Sequence, residues 1–259
     1  MKRALLLLLL LAPQSAFAGA WTMPRGKMQI IASTTWSAAK SSFDSSGSAS
    51  VPAQFEKSLT SIDLEYGWND WLTLIADPEY AYARTLRISG RVETDHDWAE
   101  SGGVRIRLAH SFGVLSAEFT AKSAGAYAMD VARDGAAGRQ LETRLLYGTN
   151  FNLFGKRGYI DLECGYRWIA GPRADEIPVD VTVGYRANWR TWLMFQSFNI
   201  IAMDNARPPY EYYRQHKLEF STVTWLSRTV SIQSSAFISP AGQNSLAEQG
   251  GSVAVWLRF

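Results

Sequence analysis

Apolar residues recur at every second position from near residue 26 to the end of the chain, and that period restricts the fold to β-strands. The final segment shows it: Val253, Val255, Leu257 and Phe259 fall on one face, and Ser252, Ala254, Trp256 and Arg258 on the other. Residues 104–108, 160–168 and 179–186 repeat the pattern. No stretch carries an apolar stripe at i, i+3, i+4 and i+7, so a helical fold is excluded. The alternation divides into twelve strands, near 26–38, 56–67, 71–86, 102–111, 114–125, 139–151, 158–170, 177–187, 191–203, 212–225, 229–239 and 249–259. Ten or fourteen strands fit the same pattern.

The chain begins differently. Lys2 and Arg3 precede an unbroken run from Leu5 to Leu11, and Ala16-Phe17-Ala18 offers small residues at cleavage spacing. The run is too short for a helix across a bilayer core of about 30 Å. Residues 1–18 therefore read as a secretory signal peptide cut before Gly19, and 19–259 as one β-domain whose start leads directly into its first strand. The formal charge of +2 depends on Lys2 and Arg3; without them 24 Lys and Arg face 24 Asp and Glu. A neutral mature chain gives no electrostatic argument for nucleic acid. A single cysteine, Cys164, excludes an intramolecular disulfide and a multi-cysteine metal site.

The expected connections alternate in length. Short ones fall at 68–70, 112–113, 152–157, 188–190 and 226–228; longer ones at 39–55, 87–101, 126–138, 171–176, 204–211 and 240–248. Short turns on one side and long loops on the other are the asymmetry of outer-membrane barrels. Aromatic residues gather at both levels: Trp68, Trp71, Phe112, Phe151, Phe154, Trp189, Trp192, Trp225 and Phe259 near the turns, and Trp36, Tyr80, Tyr82, Trp168, Tyr210, Tyr212 and Tyr213 near the loops. Two such belts match the two interfaces of a bilayer. The polar face is also rich in charge, which suits a lumen better than a soluble core. The expected fold is all-β: a transmembrane, antiparallel, up-and-down β-barrel in contact with outer-membrane lipid.

The ending Val253-Ala254-Val255-Trp256-Leu257-Arg258-Phe259 resembles the C-terminal signature of bacterial outer-membrane β-barrel proteins. That resemblance implies export to the Gram-negative outer membrane and recognition of Phe259 by the barrel-assembly machinery. The segment Ala20-Trp21-Thr22-Met23-Pro24-Arg25-Gly26-Lys27 resembles the start of barrels from hydrophobic-compound uptake or phenol meta-pathway clusters. It implies transport and names no functional residue.

The polar face supplies the candidate site. Arg105, Arg107, Glu118, Glu142, Arg144, Glu163, Arg167, Lys217 and Glu219 are expected to line the lumen. They would form either a channel for small-molecule solutes, acting through field and hydrogen bonding, or a plug of salt bridges that leaves a structural or surface-interaction barrel. Mixed charge predicts weak ion selectivity. The acidic pairs Asp63/Glu65 and Asp77/Glu79 each share one strand face, and neighbouring Arg or Lys side chains are expected to balance them. Asp95-His96-Asp97 is read as a solvated outer loop rather than a metal site, so no metal and no other cofactor is expected. Among three histidines, His216 lies near Ser234, Ser235 and Ser239 of the next strand, the only arrangement open to a surface lipid hydrolase. No hydrolase motif surrounds it, and the chain is not expected to be an enzyme. Cys164 falls on the lipid face. Pro78 is awkward inside a strand, and residues 192–201 are apolar on both faces.

Overall fold

The computed structural model describes residues 19–86, 91–124, 138–208 and 210–259. Twelve strands follow one another: β1 (Met28–Ser42), β2 (Val51–Asn69), β3 (Leu72–Leu86), β4 (Val92–Ala109), β5 (Val114–Lys122), β6 (Gln140–Leu153), β7 (Lys156–Ile169), β8 (Glu176–Arg186), β9 (Thr191–Ala202), β10 (Arg214–Trp225), β11 (Val230–Gln243) and β12 (Leu246–Arg258). Each pairs antiparallel with its sequence neighbours, and β1 pairs with β12, which closes the barrel. Closure leaves no sheet edge, the condition for β-structure in lipid. No described helix is long and apolar enough to cross a membrane.

The alternation sorts side chains as the charge pattern requires. Phe119, Leu141, Leu145, Leu162, Phe195, Phe220, Val253 and Val255 stand exposed on the outer surface, while Glu65, Glu79, Arg105, Asp161 and Glu248 are buried inside. Cys164 is exposed, as the lipid-face reading requires. Leu162 and Glu163 test this facing. Leu162→Arg is expected to cost about 2–4 kcal/mol of barrel stability near the bilayer midplane. Glu163→Gln, one residue along, is expected to assemble. Urea titration of the two variants in lipid vesicles checks it, and equal tolerance would overturn the assigned facing.

Turn chemistry sets the short connections. Phe154 (φ 50°) and Gly155 (φ 73°) are both left-handed between β6 and β7, the requirement of a tight two-residue hairpin. The other end departs from expectation in two places. Segment 240–248 is a hairpin turned at Asn244 (φ 48°) and Ser245 rather than a long loop. Most of 87–101 belongs to β4, so Asp95-His96-Asp97 is strand. β2 has 19 residues and β4 has 18, where about 9–11 cross the hydrocarbon. The outer parts of such strands project beyond lipid, lose the apolar period and read as loop. The 126–138 connection lies almost wholly outside the described residues. In loop 43–50, the Asp44 carboxylate accepts bonds from Ser46, Ser48 and Ser50, which hold its pKa well below the usual carboxylate range.

Pro78 lies inside β3, where the ladder to β2 steps from Ser61↔Glu79 to Leu64↔Ala76. The missing N–H is absorbed by that local gap, and pairing with β4 continues through Pro78↔Glu100.

Candidate functional site: a charged lumen and an inserted N-terminal segment

Strands β2 to β8 carry the charged wall. Arg105 on β4 reaches back across β3 to Glu65 at 2.9 Å and sideways to Glu118 on β5 at 2.8 Å. Lys122 pairs with Glu79 at 2.6 Å. Arg144 on β6 contacts Glu142 and also holds Glu163 at 2.8 Å and Asp180 at 2.6 Å. Arg167 joins Glu142 to Glu176, the latter at 2.6 Å. Same-face neighbours on adjacent strands lie within reach of long side chains, so register alone assembles this network. It surrounds a cavity of about 310 Å³.

Of the nine sequence-derived positions, Arg105, Glu118, Glu142, Arg144, Glu163 and Arg167 line this cavity. Lys217 belongs to a second node nearer the outer end. There the buried Glu248 sits 3.8 Å from Lys57 and 3.6 Å from Lys217, with the Ser37 hydroxyl donating to it. Glu219 accepts a bond from the Ser221 hydroxyl. Arg107 shares the face of Arg105 toward the short-turn end and lies outside the cavity lining. Glu65 and Glu79 have the basic partners expected of them. Asp63 and Asp77 make no ion pair among the described residues, and one Asp77 oxygen is buried without a hydrogen-bond partner.

The opposite wall is apolar. Tyr159, Met194, Val223, Ala254 and Trp256 form a buried cluster joined by Trp21, Ile31 and Trp192. Its position explains why β9 is apolar on both faces: one meets lipid and the other meets a second layer of protein. Trp192 therefore packs inward against Tyr159, with ring centroids 5.8 Å apart. Trp225 stacks on the Arg258 guanidinium. These two do not join the turn-side belt, whereas Trp68, Trp71, Phe112, Phe154, Trp189 and Phe259 are exposed there. On the loop side Trp36, Tyr82 and Trp168 are exposed, but Tyr213 is buried and donates to Glu176.

That second layer is the chain's own beginning. Residues 19–27 do not lead directly into β1; they enter the lumen from the short-turn end. Gly26 N–H donates to Gly67 O at 2.7 Å, and Met23 N–H donates to Thr73 Oγ1 at 2.8 Å. Trp21 meets Tyr159 edge-on at 5.8 Å, and its carbonyl accepts from Arg105 at 3.3 Å. Ala20, fully buried, donates its N–H to Asp161 Oδ1 at 2.9 Å, and its carbonyl accepts from Ser116 at 2.5 Å. The lumen makes room: a Cβ on Gly148 would lie 2.5 Å from the Trp21 ring. Period-two patterning carries no signal for such a segment, because it is not a strand. The one hint is a tryptophan set among small residues before the first alternation.

At the outer end, Asp175 ties loop 170–175 to loop 203–213. It accepts from Ile169 N–H (2.9 Å), Tyr166 OH (2.7 Å) and Asn205 Nδ2 (2.8 Å). Burial pushes its carboxyl up, the three bonds outweigh burial, and its pKa is lowered. The tie is therefore fully present above the ordinary carboxylate pKa of about 3.9 and is lost as pH falls through the lowered value. Hydrogen exchange of the Ile169 amide along an acid series is expected to show protection lost only in that low window.

His216 has no serine partner. Its Nδ1 is 2.8 Å from Asn199 Oδ1. It pairs with Ala241, while Ser234 and Ser235 pair with Thr222 and Ser221, about six residues or 20 Å farther along β10. Ser239 is buried on the lumen face, opposite His216. Among the described residues, no three His, Cys, Asp or Glu side chains are grouped to hold a metal ion.

Comparison by sequence finds no matching family model and no matching curated protein. Comparison by fold finds bacterial outer-membrane β-barrels. An outer membrane channel from Pseudomonas putida F1 superposes with TM-score 0.72 at 13% identity, over 95% of this chain and 100% of that one. The β-domain of a Bordetella autotransporter gives 0.58 at 12% identity over 90% and 100%. The translocator domain of a Neisseria meningitidis autotransporter gives 0.55 at 10% identity over 95% and 91%. The chain has the fold of a twelve-stranded outer-membrane β-barrel.

Proposed function

We propose that this protein is a Gram-negative outer-membrane channel that admits small molecules through a charge-lined lumen gated by its own N-terminal segment. The observation that carries the reading is the cavity inside the closed barrel, lined by carboxylates and guanidinium groups in contact with one another. Charged walls supply field and hydrogen bonds to a passing solute and need no covalent chemistry. The neighbour from Pseudomonas putida, itself described as a channel, supports this class. The same reading assigns the exposed Phe259, which follows β12, to recognition by the barrel-assembly machinery.

Single-channel recording on the refolded protein in planar bilayers tests the proposal. The expected result is reproducible small steps with weak cation–anion preference, because the lining mixes both signs. Silence from both the folded wild-type barrel and a variant with its N-terminal segment released would favour the second reading. In that reading the inserted segment and ion pairs plug a barrel that acts through its outer loops.

A further inference from the structure

We propose that cleavage before Gly19 creates a working charge: the new α-ammonium remains inside the barrel and pairs with the Asp161 carboxylate, locking the N-terminal segment in the lumen.

The geometry is specific. Gly19 is buried, lines the charged cavity, and has φ of +103°, a conformation favourable to glycine. A Cβ placed on it would lie 2.2 Å from Asp161 Oδ2. The α-nitrogen shares that Cα and so lies at most about 5 Å from the same oxygen, by standard bond lengths. The next residue is already fixed there, with Ala20 N–H on the other carboxylate oxygen. An ammonium at Gly19 would set a positive nitrogen beside the Asp161 carboxylate that Ala20 N–H already holds.

The surrounding charge asks for that cation. The cavity is lined by six carboxylates but only four basic side chains. Arg105 and Arg144 are committed to Glu65, Glu118, Glu142, Glu163 and Asp180. Asp161 has no basic side chain among the described ion pairs, although its residue is 3% exposed. A buried carboxylate needs a charge partner or hydrogen bonds to offset desolvation. Hydrolysis supplies one: water adds across the Ala18–Gly19 peptide bond, the leader departs with the Ala18 carboxylate, and Gly19 keeps the α-ammonium. Maturation and closure of the lumen thereby become one event, since an uncut chain has a neutral amide at this position.

The test uses protein exported with its own leader and purified from outer membranes. Intact mass is expected to show a chain starting at Gly19. An aldehyde selective for N-terminal α-amines is then applied at neutral pH to the folded barrel and to the same chain unfolded by heating in SDS. Burial keeps the reagent out and the ion pair holds the proton. Folded protein is expected to label at least about tenfold more slowly, the factor for one pKa unit alone. Asp161→Asn is expected to restore most of the unfolded rate while keeping heat-modifiable mobility. If that variant does not fold, Gly19→Ala decides, because its methyl group collides with Asp161 and should expel the chain end. A chain starting elsewhere, or a folded amine that labels at the unfolded rate, would overturn the proposal. Labelling reads the chain end directly, so its outcome is separate from whether the lumen conducts.

Discussion

Arg144→Met is expected to destabilise the folded barrel by about 3–5 kcal/mol, the usual cost of leaving buried charge without its partner. Arg144 is the cation common to Glu142, Glu163 and Asp180, which lie on β6, β7 and β8. Removing it leaves Glu142 to Arg167 and strips Glu163 and Asp180 of their ion pairs among the described residues. Urea titration in vesicles, followed by tryptophan fluorescence, reads the loss. The triple variant Arg144→Met, Glu163→Gln, Asp180→Asn is expected to recover much of it, because neutral groups need no counter-charge. A loss below about 1 kcal/mol would mean that the network behaves as a surface pair screened by lumen water. The same single variant should move ion selectivity toward cations, since it deletes positive charge from the wall of the cavity.

The strand order, the facing of each strand and most of the charged wall were legible because all three follow from period two. Once Glu142, Arg144, Glu163 and Arg167 share a face, register determines that they meet. Asp161, Lys57, Glu176 and Glu248 show where that logic ends. Asp161 falls within the alternating segment 160–168, but its importance comes from the chain end docked on it. Glu176 and Glu248 lie at the loop-side starts of β8 and β12, inside the stretches 171–176 and 240–248 that read as connections. The inserted segment 19–27 was illegible for another reason. Its fixed points are Asp161, Ser116, Thr73 and Gly148, on four different strands. Contacts this distant in sequence leave no local pattern. Trp192 and Trp225 were misplaced for the same reason: an aromatic beside a turn looks the same whether it meets a headgroup or a lumen.

Trp21→Ala is expected to release the N-terminal segment and raise single-channel conductance several-fold without unfolding the barrel. The indole is the segment's apolar anchor, set against Tyr159 and packed with the cluster that includes Trp192 and Ile31. It is half-buried, so truncation forfeits about 1.5–3 kcal/mol of burial, enough to raise the undocked population roughly tenfold to a hundredfold. No strand-to-strand pairing involves Trp21, so heat-modifiable mobility should persist. Gly148→Leu approaches the same contact from the wall: its Cβ would stand 2.5 Å from the Trp21 ring, and the larger side chain claims the anchor's site. The two substitutions are therefore expected to give the same open state, and their double variant to be little more open than either, since both break one contact. Trp21→Phe, which retains an aromatic face for Tyr159, should stay mostly closed. Additive opening in the double variant would instead mean that Gly148 shapes the pore itself, and would move the constriction from the chain's own beginning to the barrel wall.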